Sequence, residues 1–414
     1  MILNFSRFGL RIHRQIPFIS RLSSTAVEER NSDLLGLSQN DPGIDAAIDE
    51  GVSWLCRAQD NSVSKDGGVA SFSLINGWTD SYPETTGYII PTMIEYAKLR
   101  EDNDVRKRAK KMLDWLISIQ LDDGSFMGGH VSSKYIGGVT FNTGQILIGL
   151  SAGVREFGKK YLDSMIRAAD WLVESQDSDG CWRKYSSTIV SRGEKAYDTH
   201  VAFGLLEAAS IVSYKKYVNA AVSNVNWAIT QQKENGWFGN CSSSDISKPL
   251  THFLGYVLRG MLEAYRVTND SNIMTACRKT ADGLLTTIRQ DGFLPGRILP
   301  DWRGAVSWSC LTGTVQIAHC WLLMYLFTKE SKYRNAAYKA NRYVRRTMNI
   351  EDQPDTRGGI KGSFPIDGGY HSFHYINWAC KFFVDSNMME LKVREEEQNR
   401  NDNIREDQSD QTKL

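Results

Sequence analysis

Residues 115–126 read WLISIQLDDGSF, and the same pattern returns as WLVESQDSDGCW at residues 171–182 and as WAITQQKENGWF at residues 227–238. In each copy a tryptophan stands five residues before a glutamine, and an Asp-Gly or Asn-Gly turn follows. WLCRAQ at residues 54–59 opens the series, and LLTTIRQDGF at residues 284–293 continues it with Leu285 in the tryptophan position. Because 56 to 61 residues separate the tryptophans, each repeat has the length of two helices and their connections.

A second series of markers lies between the tryptophans. Threonine recurs at Thr86, Thr143, Thr199, Thr251 and Thr312, each time before Gly or His and an apolar run. A threonine hydroxyl suits the N-cap of a helix, so each marker predicts the start of an inner helix. Ser372 lies about one period after Thr312 and is predicted to fill the same place. The two series together predict six hairpins, each with an outer helix, a long Gly-rich loop and an inner helix.

Six hairpins of this length predict an all-α fold, the α/α toroid or α6/α6 barrel, over residues 41–394. The Trp and Gln positions are interpreted as structural, with the indole filling the space between hairpins and the amide bonding the turn. Every inner helix begins at the same rim, so the long loops converge on one concave face. Functional side chains are therefore expected beside the threonine markers.

The two ends of the chain lie outside the repeat. Residues 1–40 are predicted to form a basic amphipathic arm, whose apolar face carries Phe5, Phe8, Ile12, Ile16 and Ile19 and whose opposite face carries Arg7, Arg11, Arg14 and Arg21. In a eukaryote this arm resembles a mitochondrial presequence, and in a bacterium it indicates peripheral membrane contact through residues 1–25. An accidental pattern in a disordered tail is the alternative. Residues 395–414 are almost entirely polar and charged, which predicts disorder.

Charge, hydropathy and cysteine content reduce the number of function classes that the sequence supports. The formal net charge is +1, which gives no support for nucleic-acid binding. No uninterrupted apolar stretch is long enough to cross a membrane. The seven cysteines include no CxxC pair and do not describe a disulfide framework, so a reducing, cytoplasmic location is the simpler expectation. The sequence does not indicate the oligomeric state.

The candidate catalytic residues are four side chains next to the threonine markers, namely Asp80, Glu84, Asp198 and His200. Acid–base chemistry needs groups whose surroundings separate their pKa values, and carboxyl and imidazole groups on one rim supply them. We expect Asp198 and Glu84 to share the acid and base roles, with His200 assisting proton transfer. The alternative is structural, since acidic side chains are also favoured in the first turn of a helix.

The candidate binding residues are cations, aromatic rings and imidazoles in the rim loops: Arg297, Trp302, Trp308, Lys361, Tyr370, His374 and His252. Arg297 and Lys361 suit a substrate carboxylate, and Trp308 suits stacking against a sugar ring, although such tryptophans can also anchor loops. His319 on the fifth inner helix is more typical of a core histidine. Cysteines and histidines of the right types for zinc are present, but no zinc motif is formed. We predict no metal and no cofactor.

The runs from Gln120 to Phe126 and from Gln176 to Trp182 resemble the glutamine-tryptophan repeats of the squalene and oxidosqualene cyclases. The hairpin arrangement is similar to the toroid of terpenoid cyclases and of protein prenyltransferase β subunits. This resemblance covers roughly residues 45 to 390 and implies the architecture. The aspartate-rich DxDD motif with which triterpene cyclases protonate their substrate is not matched, and neither is the DDxxD cluster that binds magnesium.

Carbohydrate-active enzymes form the other large group of six-hairpin toroids and include uronyl hydrolases, polysaccharide lyases and sugar epimerases. The blocks SYPETTGYIIPT (81–92) and GGIKGSFPIDGGY (358–370) also resemble toroid proteins that accompany bacterial polysaccharide-assembly genes. We therefore expect a carbohydrate-processing enzyme that acts on a small or oligomeric sugar in polysaccharide or glycoconjugate assembly. An isoprenoid-binding or cyclising enzyme and a non-catalytic glycan-binding scaffold are the alternatives.

Overall fold

Two concentric layers of helices build the molecule, and the computed structural model describes residues 22–134, 137–186, 193–351 and 353–411. The first helix is α1 (Ser24–Leu34). The outer layer is α2 (Ile44–Asp60), α4 (Asn103–Ser118), α6 (Leu162–Glu174), α8 (Lys215–Thr230), α10 (Ser271–Leu285) and α12 (Ser331–Arg345). The inner layer is α3 (Pro83–Arg100), α5 (Thr140–Phe157), α7 (Thr199–Val212), α9 (Thr251–Thr268), α11 (Leu311–Thr328) and α13 (Asn377–Gln411). Each inner helix packs on the next, and α13 packs back on α3, which closes the ring and confirms the predicted α/α toroid.

The strands are short and lie in the loops. They are β1 (Phe72–Ser73), β2 (Gly77–Trp78), β3 (Ser309–Cys310), β4 (Ser363–Phe364) and β5 (His374–Tyr375). β1 pairs antiparallel with both β2 and β5, and β3 pairs antiparallel with β4. These pairings tie the first and the fifth rim loops to the last one.

The repeated tryptophans and glutamines are structural, as the sequence predicts. The indole of Trp115 packs on Gly68 in the neighbouring loop. Gln120 donates from its amide to the backbone oxygens of Gly124 (2.8 Å) and Ser164 (2.9 Å), and Gln176 repeats the arrangement with Gly180 and Ala220. Each glutamine side chain thus bonds both the turn that follows it and the next outer helix. This double contact accounts for the fixed place of the glutamine, five residues after the tryptophan.

The threonine markers lie inside the inner helices rather than at the N-cap. The N-cap residues are Tyr82, Val139, Asp198, Leu250 and Cys310. The hydroxyls of Thr86 and Thr143 accept the backbone N–H groups of Val69 and Phe126, each at 3.0 Å. The N-cap prediction is therefore wrong, because the hydroxyl fastens the incoming loop onto the first turn instead of capping it.

Ser372 does not take this place in the sixth inner helix. It lies in the loop before α13, and its hydroxyl donates to the backbone oxygen of Gly368. Asn377, the first residue of α13, donates from its side chain to the oxygen of Val69 at 3.0 Å and fastens the first loop to the last inner helix. An amide replaces the hydroxyl at this position, which a search for Ser or Thr could not find.

The hairpins that pack most extensively are joined by short turns, not by the long Gly-rich loops. Within such a hairpin an inner helix is followed by the next outer helix, as in α3 with α4 and α11 with α12. The sixth pair joins α13 to α2 from opposite ends of the chain. Trp54 on α2 reaches back to donate to the oxygen of Asp355 at 2.8 Å.

The helix α1 is fastened to the rim loops. Lys361 forms ion pairs with Asp33 (2.5 Å) and with Glu29, and Arg30 donates to Asp367 at 2.6 Å. Residues 24–34 of the predicted arm therefore cover the last rim loop. Residues 1–21, which carry the predicted basic amphipathic pattern, lie outside the described residues. Within the described ranges, no helix is both long and apolar enough to span a membrane.

The tail that the sequence predicts as disordered from residue 395 continues α13 as a helix through Gln411. Its first turn is held by Glu397, which accepts a hydrogen bond from the hydroxyl of Tyr325 at 2.6 Å and forms an ion pair with Arg334. The charged composition does not oppose a helix, because Glu, Gln and Arg are good helix formers. Residues 412–414 lie outside the described residues.

Glycines allow the inner helices to approach one another closely. A Cβ atom added to Gly260 on α9 would lie 2.1 Å from the backbone oxygen of Thr199 on α7, and one added to Gly149 on α5 would lie 2.1 Å from the oxygen of Gly87 on α3. Real Cβ contacts are much longer, so a side chain at these positions would push two inner helices apart.

We expect Gly260→Ala to lower the free energy of unfolding by about 2 kcal/mol. Overpacking costs about 1–3 kcal/mol, and the better helix propensity of alanine returns at most about 1 kcal/mol. Urea denaturation would measure the change. Gly239→Ala is the matched control, because the nearest atom to its added Cβ is the oxygen of Gln231 at 3.5 Å. Equal stability of the two variants would contradict the role given to Gly260.

Candidate active site

A cavity of about 330 Å³ opens at the rim where the inner helices begin. Its walls come from the first turns of α3, α5 and α9 and from the loops that precede α7 and α13. Nine aromatic rings line the wall, and they belong to Tyr82, Tyr88, Phe141, Tyr185, Tyr197, Phe253, Tyr256, Tyr370 and Trp378. The predicted convergence of rim loops on one concave face is therefore present.

Glu84 supplies the carboxyl group of this cavity. It lies in the first turn of α3, directly after Pro83, and only 9% of its surface is exposed. Burial raises the pKa of Glu84 from 4.5 to about 7, although the hydroxyl of Tyr82 donates to the carboxylate and lowers the pKa. Among the described residues that line the cavity, no other side chain carries a carboxyl group. A carboxyl that titrates near neutral pH can both donate and accept a proton at pH 7.

Two imidazoles face the same space without charge. Burial lowers the pKa of His252 to about 3 and that of His371 to about 4. The ring of His252 lies 5.1 Å from that of Tyr370, whose hydroxyl accepts a hydrogen bond from the indole of Trp378 at 2.9 Å. The Nδ1 atom of His252 is buried and has no hydrogen-bond partner among the described residues. Neutral donors and acceptors are therefore arranged around an aromatic wall.

Lys195 is the buried cation of the cavity wall. It is 4% exposed, and its ammonium group donates to the hydroxyl of Ser186 at 2.6 Å. Asp198 lies behind it at 3.8 Å, fully buried, with no hydrogen bond to either carboxylate oxygen from the described residues. Burial raises the pKa of Asp198 to about 6, and Lys195 opposes this shift. Asp198 thus supports the wall from outside the cavity instead of facing Glu84 across it.

His200 points away from the rim cavity. Its Nδ1 atom lies 2.6 Å from the side-chain oxygen of Gln145, and its ring lines a second cavity at the opposite end of the toroid. Burial lowers the pKa of His200 well below its usual value. The structure therefore does not bring His200 to Glu84, because the imidazole is directed along α7 toward the opposite cavity and is held there by Gln145.

Asp80 and Arg297 have structural contacts at the rim. Asp80 accepts hydrogen bonds from the hydroxyls of Ser64 (3.0 Å) and Ser132 (2.5 Å), which lower the pKa of its carboxyl and join two loops. Arg297 donates to the backbone oxygen of Lys248 at 2.9 Å. Neither side chain lines the rim cavity.

The remaining predicted residues anchor loops. Trp302 packs on Gly283 and donates to the oxygen of Asn235 at 3.0 Å. Trp308 packs on glycines 296, 368 and 369. Lys361 holds α1, and His374 bonds through Nδ1 to the backbone oxygen of Ser372 at 2.7 Å. Of the predicted site residues, the structure brings Glu84, His252 and Tyr370 together.

Sequence reasoning did not identify Lys195 or the tyrosines at positions 82, 197 and 256. Three of these four residues, Tyr82, Lys195 and Tyr197, lie two to four residues before a threonine marker. Tyr256 lies one helical turn beyond Thr251, so a search restricted to loops and first residues excludes it. The helical period of the inner helices would have been the useful signal, since it carries side chains from the rim toward the axis.

The fold and the rim cavity define an α/α toroid of the kind that many solved structures share. A protein-family model, the squalene-hopene cyclase C-terminal domain, matches residues 35–259. That range is more than half of the 414 residues, and the chain belongs to this family. A comparison with curated protein sequences returned no match.

Three solved structures illustrate the likeness of fold. An unsaturated glucuronyl hydrolase specific for heparin is 15% identical with a TM-score of 0.70, over 86% of this chain and 99% of that chain. An unsaturated glucuronyl hydrolase from Bacillus sp. GL1 is 13% identical with a TM-score of 0.66, over 84% and 96%. A cellobiose 2-epimerase from Bacillus thermoamylovorans B4167 is 12% identical with a TM-score of 0.65, over 88% and 100%. At these identities the likeness concerns the fold.

Proposed function

We propose that the chain is a carbohydrate-processing enzyme that carries out acid–base chemistry on a sugar or uronate, of the hydrolase, lyase or epimerase type. The observation that carries this proposal is Glu84, a carboxyl group with a pKa near neutrality in a cavity walled by aromatic rings. Aromatic faces suit the apolar faces of sugar rings. The names of the similar structures, glucuronyl hydrolases and an epimerase, support the same class.

In this proposal Glu84 transfers the proton, and the phenol of Tyr82 stabilises its charged form. Hydrolysis by two acids needs a second carboxyl about 5–10 Å away, and none lines the described part of the cavity. A single carboxyl with neighbouring phenols and neutral imidazoles fits removal and return of a proton on a sugar ring. This favours the lyase or epimerase type over hydrolysis by a carboxylate pair. Trp378 and Tyr370 would form the stacking surface.

The test is turnover by the full chain of two substrates whose products are separated by chromatography. An oligosaccharide with 4-linked glucuronate tests uronate elimination, and cellobiose tests epimerisation. Conversion of either that requires Glu84 would support the proposal. Saturable binding of both sugars without turnover would instead support the glycan-binding scaffold, and neither turnover nor binding would refute the carbohydrate proposal.

We expect Lys195→Met to raise KM for a uronate about 10- to 100-fold and to leave KM for a neutral sugar unchanged. The ammonium group of Lys195 is the buried cation of the wall, and losing a charge-assisted hydrogen bond costs about 1.5–3 kcal/mol. Steady-state kinetics on both substrates would measure the difference. An equal change in KM for the neutral sugar would contradict a role in recognising the carboxylate.

Lys184→Met is the matched control, because Lys184 is exposed on the same loop. We propose that Asp198 acts as a positioning residue for Lys195. Asp198→Asn should then raise KM for the uronate in the same direction, but less, with little change in kcat. A large loss of kcat with unchanged KM would instead return Asp198 to the direct acid–base role that the sequence suggests.

The second candidate function is an isoprenoid-binding or cyclising enzyme. The family match and the aromatic wall favour it, since aromatic faces stabilise cations. Squalene and a prenyl diphosphate are therefore included in the same turnover assay. Conversion of an isoprenoid without conversion of any sugar would replace the first proposal with this one.

A further inference from the structure

A second cavity of about 670 Å³ lies on the toroid axis at the end opposite the rim cavity. The C-terminal halves of the inner helices and residues 381–395 of α13 form most of its walls. Tyr88 lines both cavities and packs on Phe382 with ring centres 5.3 Å apart, so an aromatic layer separates the two spaces. The proposed function does not use this cavity.

Arg259 on α9 presents a guanidinium group to this second cavity. Its Nε atom donates to Glu263 at 2.7 Å, and Nη1 lies 3.0 Å from Nε2 of His319. The guanidinium also lies over the ring of Phe203, 4.9 Å from its centre. The side chain keeps 22% of its surface exposed, and Nη2 has no hydrogen bond to a described residue. The Nη2 edge of the guanidinium is therefore available for a ligand.

Lys381 on α13 presents a second cation. It donates to Asp385 at 2.5 Å, and Asp385 also accepts from the hydroxyl of Thr92 at 2.6 Å. The ammonium group lies 4.3 Å from the centre of the Phe382 ring. An ammonium group has three donors, and one is used here. Two donors thus remain for a group inside the cavity.

The described lining of the whole cavity carries six cations and six carboxylates, but the ion pairs near Arg259 and Lys381 are not balanced one to one. Arg155, Arg259, Arg266 and Lys381 are linked by ion pairs to only three carboxylates, those of Glu207, Glu263 and Asp385. Glu263 is shared between Arg259 and Arg266, each at 2.7 Å. This ion-paired group therefore has one cation more than carboxylates, and within it Arg259 and Lys381 are the less exposed cations, whereas Arg155 and Arg266 are about half exposed.

Two imidazoles next to the cations remain neutral. Burial lowers the pKa of His200 and of His319 well below the usual value, and Arg259 and Lys381 lower both further. The cations also oppose each other, since Arg259 lowers the pKa of Lys381. Both cations line this cavity, and an anion bound between them would relieve their repulsion.

The rest of the wall is apolar in large part. Side chains of this kind are Ile148, Phe203, Leu323, Met388, Met389 and Leu391. Methionines adapt to ligands of irregular shape. The cavity volume is in the range that encloses a small molecule. A cationic floor with an apolar wall is complementary to a molecule that has an anionic head and an apolar body.

We propose that this second cavity binds a small amphiphile, with a phosphate head between Arg259 and Lys381 and an apolar body along the methionines of α13. A phosphate offers several acceptor oxygens and up to two charges, which suits two cations from different helices. The molecule is either a free phosphate ester or a phospholipid taken from a membrane, and both share this chemistry. The proposal is independent of the function assigned to the rim cavity.

The test is isothermal titration of the full chain with octyl phosphate, with dimethyl octyl phosphate as the uncharged ligand of equal chain length. We expect saturable binding of octyl phosphate alone, weakened about 10- to 100-fold by Lys381→Met, which removes a charge-assisted hydrogen bond. Arg259→Met should have the same effect. Lys160→Met on the outer surface and Glu84→Gln in the rim cavity are the controls and should leave the affinity unchanged.

Equal binding of both ligands, or binding of octyl phosphate that Lys381→Met leaves intact, would overturn the proposal. Circular dichroism of each variant separates lost binding from lost folding, and Lys381→Met remains informative if Arg259→Met does not fold. Cosedimentation with phosphatidylcholine vesicles that contain phosphatidic acid distinguishes the two sources. Extraction of phosphatidic acid that depends on Lys381 would identify a membrane lipid, whereas binding of octyl phosphate alone would identify a free ester. Failure of both ligands would refute this site while leaving the sugar assays untouched.

Discussion

Replacing Glu84 with glutamine is expected to lower kcat by about 10²- to 10⁴-fold, the usual contribution of a general acid or base. Glutamine has nearly the same shape and keeps the hydrogen-bonding oxygen near Tyr82, but it cannot exchange a proton at neutral pH. The kcat of the wild type should also depend on pH with an apparent pKa near 7. It should be higher below this pH if Glu84 donates the proton and higher above it if Glu84 accepts the proton. Initial rates from pH 5 to 9 would measure both effects.

Glu174→Gln is the control for this variant. Glu174 is exposed at the last residue of α6, so its replacement should leave kcat and the pH profile unchanged. A Glu84→Gln enzyme that keeps at least half of the wild-type activity would exclude Glu84 as the proton-transferring group and remove the main support for the proposed function.

The same substitution is expected to stabilise the protein at alkaline pH. Because the pKa of Glu84 is raised on folding from 4.5 to about 7, the folded state holds the proton more tightly than the unfolded state. The contribution of Glu84 is therefore most favourable below pH 4.5, is lost as the pH rises through 7, and is constant above that. The increase in the pKa of Glu84 on folding corresponds to about 3 kcal/mol of stability that is lost between low and high pH. Glutamine does not ionise and has no such loss, so the variant should have a higher free energy of unfolding than the wild type at pH 8.

Urea denaturation of both proteins at pH 5 and at pH 8 would measure this difference. The comparison between variant and wild type is needed because burial also raises the pKa of Asp33 and of Asp198, each to about 6, and both proteins share those contributions. A variant with lower activity and higher stability at pH 8 would show that the burial of Glu84 serves function at the expense of stability. Equal pH dependence in the two proteins would mean that Glu84 is not desolvated in solution.

The fold could be predicted because one repeat fixes it. A tryptophan in the first four outer helices and a glutamine five residues later set the register of the layers, and Gln120 and Gln176 make the same pair of backbone contacts. The pairing of helices was harder to predict, since Trp54 and Asp355 are 301 residues apart. The helical extension to Gln411 was predicted as disorder because composition alone does not reveal partners such as Tyr325 for Glu397.

The site was predicted only in part, for a physical reason. Proximity to a threonine marker places a residue at the rim but does not say which way its side chain points. Glu84 and His252 point into the cavity, whereas Asp198 and His200 do not, although all four lie within two residues of a marker. Lys361 and Arg297 are predicted to bind a substrate, but in the structure Lys361 pairs with the carboxylates of Glu29 and Asp33, and Arg297 donates to the backbone oxygen of Lys248.

The closure of the ring by α2 and α13 changes how this repeat protein should fold and tolerate cuts. In an open solenoid each repeat contacts only its neighbours, and terminal repeats need special caps. Here the last inner helix bonds the first outer one, as when the thiol of Cys380 donates to the oxygen of Gly51, 329 residues away. Every hairpin therefore has a neighbour on both sides, and each one stabilises the next around the closed ring. Complete folding requires contacts between the two ends of the chain, and contacts of such large sequence separation form slowly. A circular permutant opened in another hairpin turn would keep every interface between helices.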